Sequence, residues 1–203
     1  FPDRFFDVAI AEQHSITLAG GMATKGLKPV VAIYSTFLQR GYDQFIHDIA
    51  LQNLNVVFAI DRAGLVGADG ATHAGVFDLS FLRCIPNIVI MAPSSSLEMY
   101  KALNTAHNLN GPVCIRFPRG KSQVEEFTTD EIIELGKANI VRTGRDIVIF
   151  AFGNMLDPAI EAGNEIDATV IDMRFIKPLD EKLIIEIAQN NKKLISIEDN
   201  VTS

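Results

Sequence analysis

Apolar segments of strand length alternate along the chain with segments in which apolar residues recur at helical spacing. In the first part this pattern predicts strands at residues 5–10, 29–34, 55–60, 88–91 and 113–117. The intervening segments predict helices at 13–25 and 36–52, and a third that begins at a capping box, residues 95–98, and runs to about residue 108. Strands that are apolar throughout and separated by helices indicate a parallel sheet covered on both faces.

The pattern changes after Pro118 and then resumes. Residues 121–136 are polar and acidic, which is typical of a connection between domains. Further strands are predicted at 139–141, 146–152, 168–173 and 193–198, with helices at 158–166 and 179–190. The fold class is therefore α/β, with two consecutive, mainly parallel-sheet units at 1–120 and 138–203 joined by a linker at 121–137.

Composition and charge exclude several classes of protein. Eighteen Lys and Arg stand against 25 Asp and Glu, and the net charge of −7 offers no basic field for nucleic acid. The longest apolar runs are too short to cross a membrane, so we expect no membrane contact. Cys84 and Cys114 lie in separate apolar segments without metal or redox spacing, which predicts buried free thiols in a reducing cytoplasm. A start without Met or signal peptide predicts an excised segment.

A long glycine-rich loop, residues 61–75, follows a predicted buried strand. It has neither the lysine of a P-loop nor the glycine spacing of a dinucleotide-binding fingerprint. Ligands of open parallel sheets bind beyond the carboxyl ends of strands, where this loop begins. The loop is thus either a site or a flexible connection, and its His73 is either a proton donor or an ordinary loop imidazole.

Glu12 lies at the start of the first predicted helix. A carboxylate there is favourable for the helix dipole alone, and a functional role would require burial against a ligand nitrogen. The other histidines are expected on helix surfaces or in packing, and no zinc set is visible.

Arginines and an aromatic residue also stand at strand ends. The three arginines could converge on an anionic substrate or remain solvated; they are Arg62, Arg116 and Arg119. Phe37 follows the second predicted strand and is either a core residue or a ring presented to a cofactor.

Several blocks of sequence closely resemble the 1-deoxy-D-xylulose-5-phosphate synthases, a family of transketolase-like enzymes. The blocks are FDVAIAEQH at 6–14, YSTFLQR at 34–40, RFPRG at 116–120, and residues 59–75, 82–86 and 172–180. Because the blocks run along nearly the whole chain, the resemblance implies a pyrimidine-binding domain followed by a transketolase C-terminal-like domain, both incomplete.

The resemblance implies a thiamine diphosphate-dependent condensation of pyruvate with glyceraldehyde 3-phosphate, with loss of carbon dioxide, to give 1-deoxy-D-xylulose 5-phosphate. That reaction opens the non-mevalonate isoprenoid pathway and supplies a precursor of thiamine and pyridoxal. Glu12 would hydrogen-bond the aminopyrimidine ring of the cofactor, Phe37 would stack on it and Ile10 would line the same pocket. Arg40 would organise the site locally.

The resemblance also assigns the substrate residues. The phosphate of the aldehyde would be held by Tyr34, Ser35, Arg62 and Arg119. Asp69 and His73 would face the substrate carbons, with His73 as a proton donor.

The chain lacks the Gly-Asp-Gly motif that holds the diphosphate and Mg²⁺. We therefore expect a missing N-terminal domain to bind the metal, no metal ligand in this segment, and no turnover by the segment alone. The resemblance further implies a cytoplasmic homodimer of the full-length chain. Two alternatives stay open: another transketolase-like enzyme, or a non-catalytic assembly module.

Overall fold

A computed structural model describes residues 1–120, 130–190 and 193–201, so most of the predicted linker lies outside the described residues. The strands are β1 (Val30–Tyr34), β2 (Val57–Asp61), β3 (Val89–Met91), β4 (Val113–Arg116), β5 (Asn139–Arg142), β6 (Ile147–Ala151), β7 (Thr169–Asp172), β8 (Phe175–Lys177) and β9 (Lys193–Ile197). The α-helices are α1 (Glu12–Ala23), α2 (Ser35–Leu38), α3 (Tyr42–Gln44), α4 (Asp78–Arg83), α5 (Ser96–Asn108), α6 (Leu156–Ile166) and α7 (Glu181–Asn190).

The first sheet has the strand order β1-β2-β4-β3-β8, and β1 to β4 run parallel. One face packs on α1 and on the helical segments that follow β1. Leu38 and Phe45 of these segments cluster with Phe58 of β2. The other face packs on α5, through Ala102 and Ala106. The predicted α/β class with a doubly covered parallel sheet is confirmed, and Ser95 caps α5 by accepting a hydrogen bond from the Glu98 N–H at 3.2 Å.

Strand β8 comes from the later part of the chain and joins the first sheet antiparallel to β3. Its Phe175 is fully buried beside Met91 and Ile115, and the Ala92 N–H donates to the Arg174 carbonyl at 2.8 Å. The sequence pattern missed this strand because three residues are too few to show a period.

The second sheet has the order β5-β7-β6-β9, with only β5 antiparallel. Residues of β6 alternate between two helices: Ile149 packs in a cluster with Ala159 of α6, while Val148 packs in a cluster with Leu183 of α7. This arrangement confirms the second α/β unit. The domain boundaries at 120 and 138 stay a prediction.

Residues 5–10 do not form the predicted strand. Ala9 takes a left-handed φ of 53°, and its N–H donates to the Asp7 carboxylate at 2.8 Å, which turns the chain. Phe5 and Ile10 are 77% and 87% exposed. Residues 5–10 therefore do not pair with β1, although their apolar pattern predicted a strand.

The predicted helix at 36–52 is instead a series of turns: α2, a 3₁₀ turn at Gln39–Gly41, α3 and a π turn at Phe45–Ala50. A side chain at Gly41 would lie 2.5 Å from Ile16 Cδ1 and 3.3 Å from the Glu12 carbonyl oxygen. The break therefore lets this segment pass close to the start of α1, which a regular helix with side chains at that point would not allow.

The sequence left open whether Arg116 converges with Arg62 and Arg119 on a substrate or remains solvated, and the structure shows neither. Arg116 is 2% exposed; its Nε donates to Asp78 at 2.9 Å and its Nη1 to Asp199 at 2.7 Å. Burial lowers the pKa of Arg116, but the two carboxylates outweigh this and raise it, so the guanidinium stays charged inside the protein.

The two thiols differ, so the prediction of two buried cysteines is wrong for Cys84. Cys114 is fully buried in β4, and burial raises the pKa of its thiol, with the charge of Asp78 adding to the shift. Cys84 is exposed, and its Sγ donates to the Phe81 carbonyl at 3.1 Å. Burial and the neighbouring Cys84 raise the pKa of Tyr42 to about 12.

No helix among the described residues is long and apolar enough to span a membrane.

We expect Cys84 to react with iodoacetamide in the folded protein and Cys114 to stay unmodified until the protein is denatured. The thiolate is the reactive form, and both burial and the raised pKa suppress it at Cys114. Peptide mapping of the full-length protein after a brief alkylation at pH 8 checks this. Equal labelling of both peptides under native conditions would contradict it.

Asp78→Ala is expected to destabilise the protein strongly, because it removes a fully buried carboxylate from the buried Arg116. Loss of a buried hydrogen bond to a charged group typically costs about 1–3 kcal/mol, and Asp199 remains as the second partner of Arg116. Thermal melting of the full-length protein should show a Tm lower by several degrees, whereas Glu161→Ala, on the exposed side of α6, should leave it unchanged. An unaltered Tm for Asp78→Ala would mean that the pair is dispensable.

Candidate active site

A cleft of about 460 Å³ opens at the carboxyl end of β1, between the start of α1 and the loop that follows β2. Its lining includes five of the predicted site residues, Ile10, Glu12, Tyr34, Phe37 and His73, together with Arg40. The parallel register explains the location, because Tyr34 at the end of β1 lies opposite Asp61 at the end of β2. Val8, Ala9 and Ser15 also line the cleft and were not singled out from the sequence.

Glu12 is the first residue of α1, and its side chain is only 14% exposed. Its Oε1 accepts a hydrogen bond from Arg40 Nη1 at 2.8 Å. The close passage at Gly41 brings Arg40 to this position. The carboxylate is thus largely removed from water and held by a charged partner, beyond what favourable placement at a helix start requires.

Aromatic rings form one wall of the cleft. Phe37 stacks on Tyr34 with ring centroids 5.5 Å apart and an angle of 12° between the planes. The His73 ring meets Phe37 edge-on at 5.2 Å, and the Arg40 guanidinium lies 4.6 Å from the Phe37 centroid. His73 is therefore brought to the same cleft as Glu12, although 61 positions separate them in the sequence. Ile10, which is 87% exposed, lies at the mouth.

The glycine-rich loop is closed at its base, where Gly64 and Gly75 exchange backbone hydrogen bonds of 2.8 and 2.9 Å. Two 3₁₀ turns, Gly67–Asp69 and Ala71–His73, form the loop between them. Thr72 Oγ1 lies 2.9 Å from His73 Nδ1. The sequence left open whether this segment is a site or a connection, and the structure gives it a defined shape facing the cleft.

The two arginines predicted to bind phosphate, Arg62 and Arg119, both contact Asp69. Arg62 Nε lies 3.5 Å from one carboxylate oxygen of Asp69, and Arg119 Nη1 binds the other. Arg62 also pairs with Asp61, and its guanidinium lies 4.2 Å from the Tyr34 ring centroid. Desolvation lowers the pKa of Arg62, but the hydrogen bond and charge of Asp61, with Tyr34 and Asp69, raise it overall. Two guanidinium groups thus surround one carboxylate beside the aromatic wall.

Ser35 is placed differently from the other predicted substrate residues. It is 1% exposed, and its Oγ has no hydrogen-bond partner among the described residues. In this conformation its hydroxyl does not reach the cleft.

Asp61, which binds Arg62, was not singled out from the sequence. The available signal was an acidic residue at the carboxyl end of a parallel strand, the edge of the sheet where ligands bind.

No group of three or more His, Cys, Asp or Glu side chains in the described residues is arranged to hold a metal ion.

Comparisons with known proteins cover nearly the whole chain. The family model "Transketolase, pyrimidine binding domain" matches residues 1–124, and "Transketolase, C-terminal domain" matches residues 136–203. Relatives named 1-deoxy-D-xylulose-5-phosphate synthase confirm the resemblance drawn from the sequence blocks. The one from Nitrosococcus oceani is 61% identical over 204 residues, which cover 99% of this chain and 32% of that protein. The one from Methylobacillus flagellatus is 61% identical over 201 residues, 98% of this chain and 33% of that protein. The chain therefore spans about a third of the length of these relatives.

Solved structures agree with these matches. A split-gene transketolase described as an inactive beta4 tetramer superposes with a TM-score of 0.88 at 31% identity, covering 98% of this chain and 67% of that one. A transketolase from Campylobacter jejuni shares the fold, with a TM-score of 0.73 at 21% identity over 95% of this chain and 34% of that one. Because the family model covers more than half of the chain and the fold agrees, this chain belongs to the transketolase family.

Proposed function

We propose that the chain is part of a 1-deoxy-D-xylulose-5-phosphate synthase, which condenses pyruvate with glyceraldehyde 3-phosphate and releases carbon dioxide. The observation that carries the proposal is the largely buried Glu12 carboxylate, bound by Arg40, in an aromatic cleft beside the Arg62–Asp69–Arg119 cluster. The relatives that are 61% identical support the choice of reaction within the family. The alternative reading as an assembly module has no contact in the described residues that favours it.

The cleft fits the pyrimidine half of thiamine diphosphate. A heteroaromatic ring with an amino group needs an apolar wall and a carboxylate acceptor, and the cleft offers Phe37 and the buried Glu12. When bound, the cofactor supplies the electron sink that decarboxylation of pyruvate requires. Ile10 at the mouth would cover the ring edge.

Glu12 would accept a hydrogen bond from a ring nitrogen of the pyrimidine. A carboxylate that shares a proton with a weakly basic nitrogen acts most strongly where water is excluded, and Glu12 is 14% exposed. Arg40 holds the carboxylate in one orientation through its 2.8 Å hydrogen bond, while leaving the other oxygen to the ligand.

His73 would hold or donate a proton at Nε2. Its Nδ1 lies 2.9 Å from Thr72 Oγ1, so Nε2 is the nitrogen left to face a substrate carboxylate or carbonyl. Asp69, on the same loop, would face the carbons of the substrate and orient the arginines around it.

Arg62 and Arg119 would bind the phosphate of the aldehyde. Guanidinium groups match phosphate oxygens in geometry and charge, and these two already lie on either side of one anion, the Asp69 carboxylate. Tyr34 lies against Arg62 and would complete this site with its hydroxyl. Ser35 would contribute only after its buried hydroxyl rotates toward the cleft.

The diphosphate and Mg²⁺ would be held by residues outside this chain. Arg40 and His73 are the basic side chains that line the cleft, and its one carboxylate, Glu12, is bound by Arg40. We therefore extend the proposal to a full-length chain that includes a metal-binding domain, with the segment alone inactive. The split-gene relative described as inactive supports that part of the proposal.

We further propose a cytoplasmic homodimer of the full-length chain. Phe5, Phe6 and Ile10 are exposed in the segment that leads into the cleft, and exposed apolar side chains grouped in this way are typical of a surface that another chain covers.

Glu12→Gln in the full-length protein is expected to lower kcat for the condensation by about 10²- to 10⁴-fold, since the amide cannot share a proton as a carboxylate does. Steady-state assays with pyruvate and glyceraldehyde 3-phosphate measure this, with Glu165→Gln on the exposed face of α6 as the matched control. Activity within threefold of the unaltered enzyme would refute the role of Glu12.

Arg119→Ala is expected to raise KM for glyceraldehyde 3-phosphate about tenfold or more and to leave KM for pyruvate unchanged, because a charge-assisted hydrogen bond to phosphate is lost. Arg83→Ala, an exposed arginine of α4, serves as the control for lost surface charge. The proposal for this residue fails if both KM values stay constant.

A further inference from the structure

The segment that follows β9 leaves the second sheet and lies on the first unit. It makes three hydrogen bonds there: Asp199 accepts from Arg116 at 2.7 Å, Asn200 donates to Ser80 Oγ at 2.8 Å, and the Val201 N–H donates to the Val76 carbonyl at 3.1 Å. We call residues 199–201 the C-terminal clamp.

One of these hydrogen bonds, and a close contact of Asp199 with Gly64, fall at the base of the loop that carries Asp69 and His73. Gly64 and Gly75 close the loop, Val76 follows directly, and Val201 binds Val76. At the other side of the base, Gly64 lies so close to Asp199 Oδ2 that a side chain at this position would overlap the carboxylate. The clamp therefore contacts both ends of the loop, and Gly64, at φ +75°, is the residue that allows the carboxylate to come so close.

Charge balance does not explain why the clamp carries a carboxylate. Arg116 already pairs with Asp78, which is fully buried, so its single charge is neutralised. A second buried carboxylate adds a desolvation cost. Asp199 is 8% exposed, and its Oδ2 has no hydrogen-bond partner among the described residues while it packs against Gly64. The feature that this costly group provides is a fixed contact at the base of the loop.

We propose that Asp199 is a positioning residue that acts through Gly64 and Arg116 to fix the loop 64–75, and with it Asp69 and His73, against the phosphate-binding arginines. This inference rests on the proposed function for its kinetic consequence. The second unit thereby affects the binding of glyceraldehyde 3-phosphate without contacting this substrate.

Amide hydrogen exchange tests the clamp directly in the full-length protein. Asp199→Ala is expected to raise exchange in the peptide covering residues 62–77 about tenfold, a change that reports weaker closure of the loop. Asp180→Ala is the matched control, because Asp180 is also a buried carboxylate, 7% exposed, but it accepts hydrogen bonds from the N–H groups of Ala138 and Leu183 within the second unit. Asp199→Asn keeps the shape and the bond from Arg116, so it should retain the protection. Unchanged exchange for Asp199→Ala, or equal effects of Asp199→Ala and Asp180→Ala, overturns the proposal.

Kinetics separates positioning from a loss of folded protein. Asp199→Ala should raise KM for glyceraldehyde 3-phosphate about fivefold or more, since the loop sets the place of Asp69 between the arginines. The dissociation constant of thiamine diphosphate, which depends on Glu12 and Phe37, should stay unchanged. A fall in kcat alone, with KM constant, would indicate partial unfolding and overturn the positioning role.

A double substitution supplies the last test. Gly64→Ala forces a methyl group onto the Asp199 carboxylate, so it should impair the enzyme, and adding Asp199→Ala should restore part of the loss. Strictly additive effects would show that the two residues act independently.

If the unaltered enzyme performs no condensation, the proposed function fails and the exchange result alone tests the clamp. If it does, and Asp199→Ala behaves like Asp180→Ala, the clamp fails and the function stands.

Discussion

The site depends on the parallel alignment of β1, β2 and β4. The register pairs Tyr34 with Asp61 and Ile60 with Arg116, so all three strands end at one edge of the sheet. The segments that leave this edge must turn over it, because the faces of the sheet are covered by helices. Residues that lie far apart in the sequence are thus delivered to one cleft by backbone hydrogen bonding, and the side chains need only complete it.

Opposite charges in and beside the cleft are paired with one another. Glu12 binds Arg40, and Asp69 lies between Arg62 and Arg119. A buried or half-buried charge without a partner would destabilise the folded protein, so these pairs stabilise the site. A ligand with the right charges then exchanges one set of ionic contacts for another, which favours groups that match the existing geometry over groups that only match in net charge.

Much of this architecture could be predicted because apolar period and strand length identify a buried parallel sheet. Strands β1 to β4 and helix α5 were located from that signal, and strand ends pointed to Arg62 and Arg119. The failures have physical causes. The segment 5–10 has a strand-like composition but a turn at Ala9, and the break at Gly41 depends on how closely α1 approaches.

Long-range partners were beyond the pattern altogether. Nothing near Arg116 in the sequence indicates that Asp78 and Asp199 bury it, and a three-residue strand such as β8 carries no period. The roles of Glu12 and Phe37 came from family resemblance, since a carboxylate at a helix start and a ring at a strand end have ordinary structural explanations.

Strand β8 ties the two units together more firmly than a surface contact would. It hydrogen-bonds along β3 and places Phe175 in the core beneath α5. A protein cut between residues 120 and 138 would leave β3 with an unpaired row of backbone donors and acceptors next to a vacated hydrophobic hole. Such an edge promotes self-association. To express the first unit by itself, one would therefore retain residues 175–177 or introduce charged residues along β3.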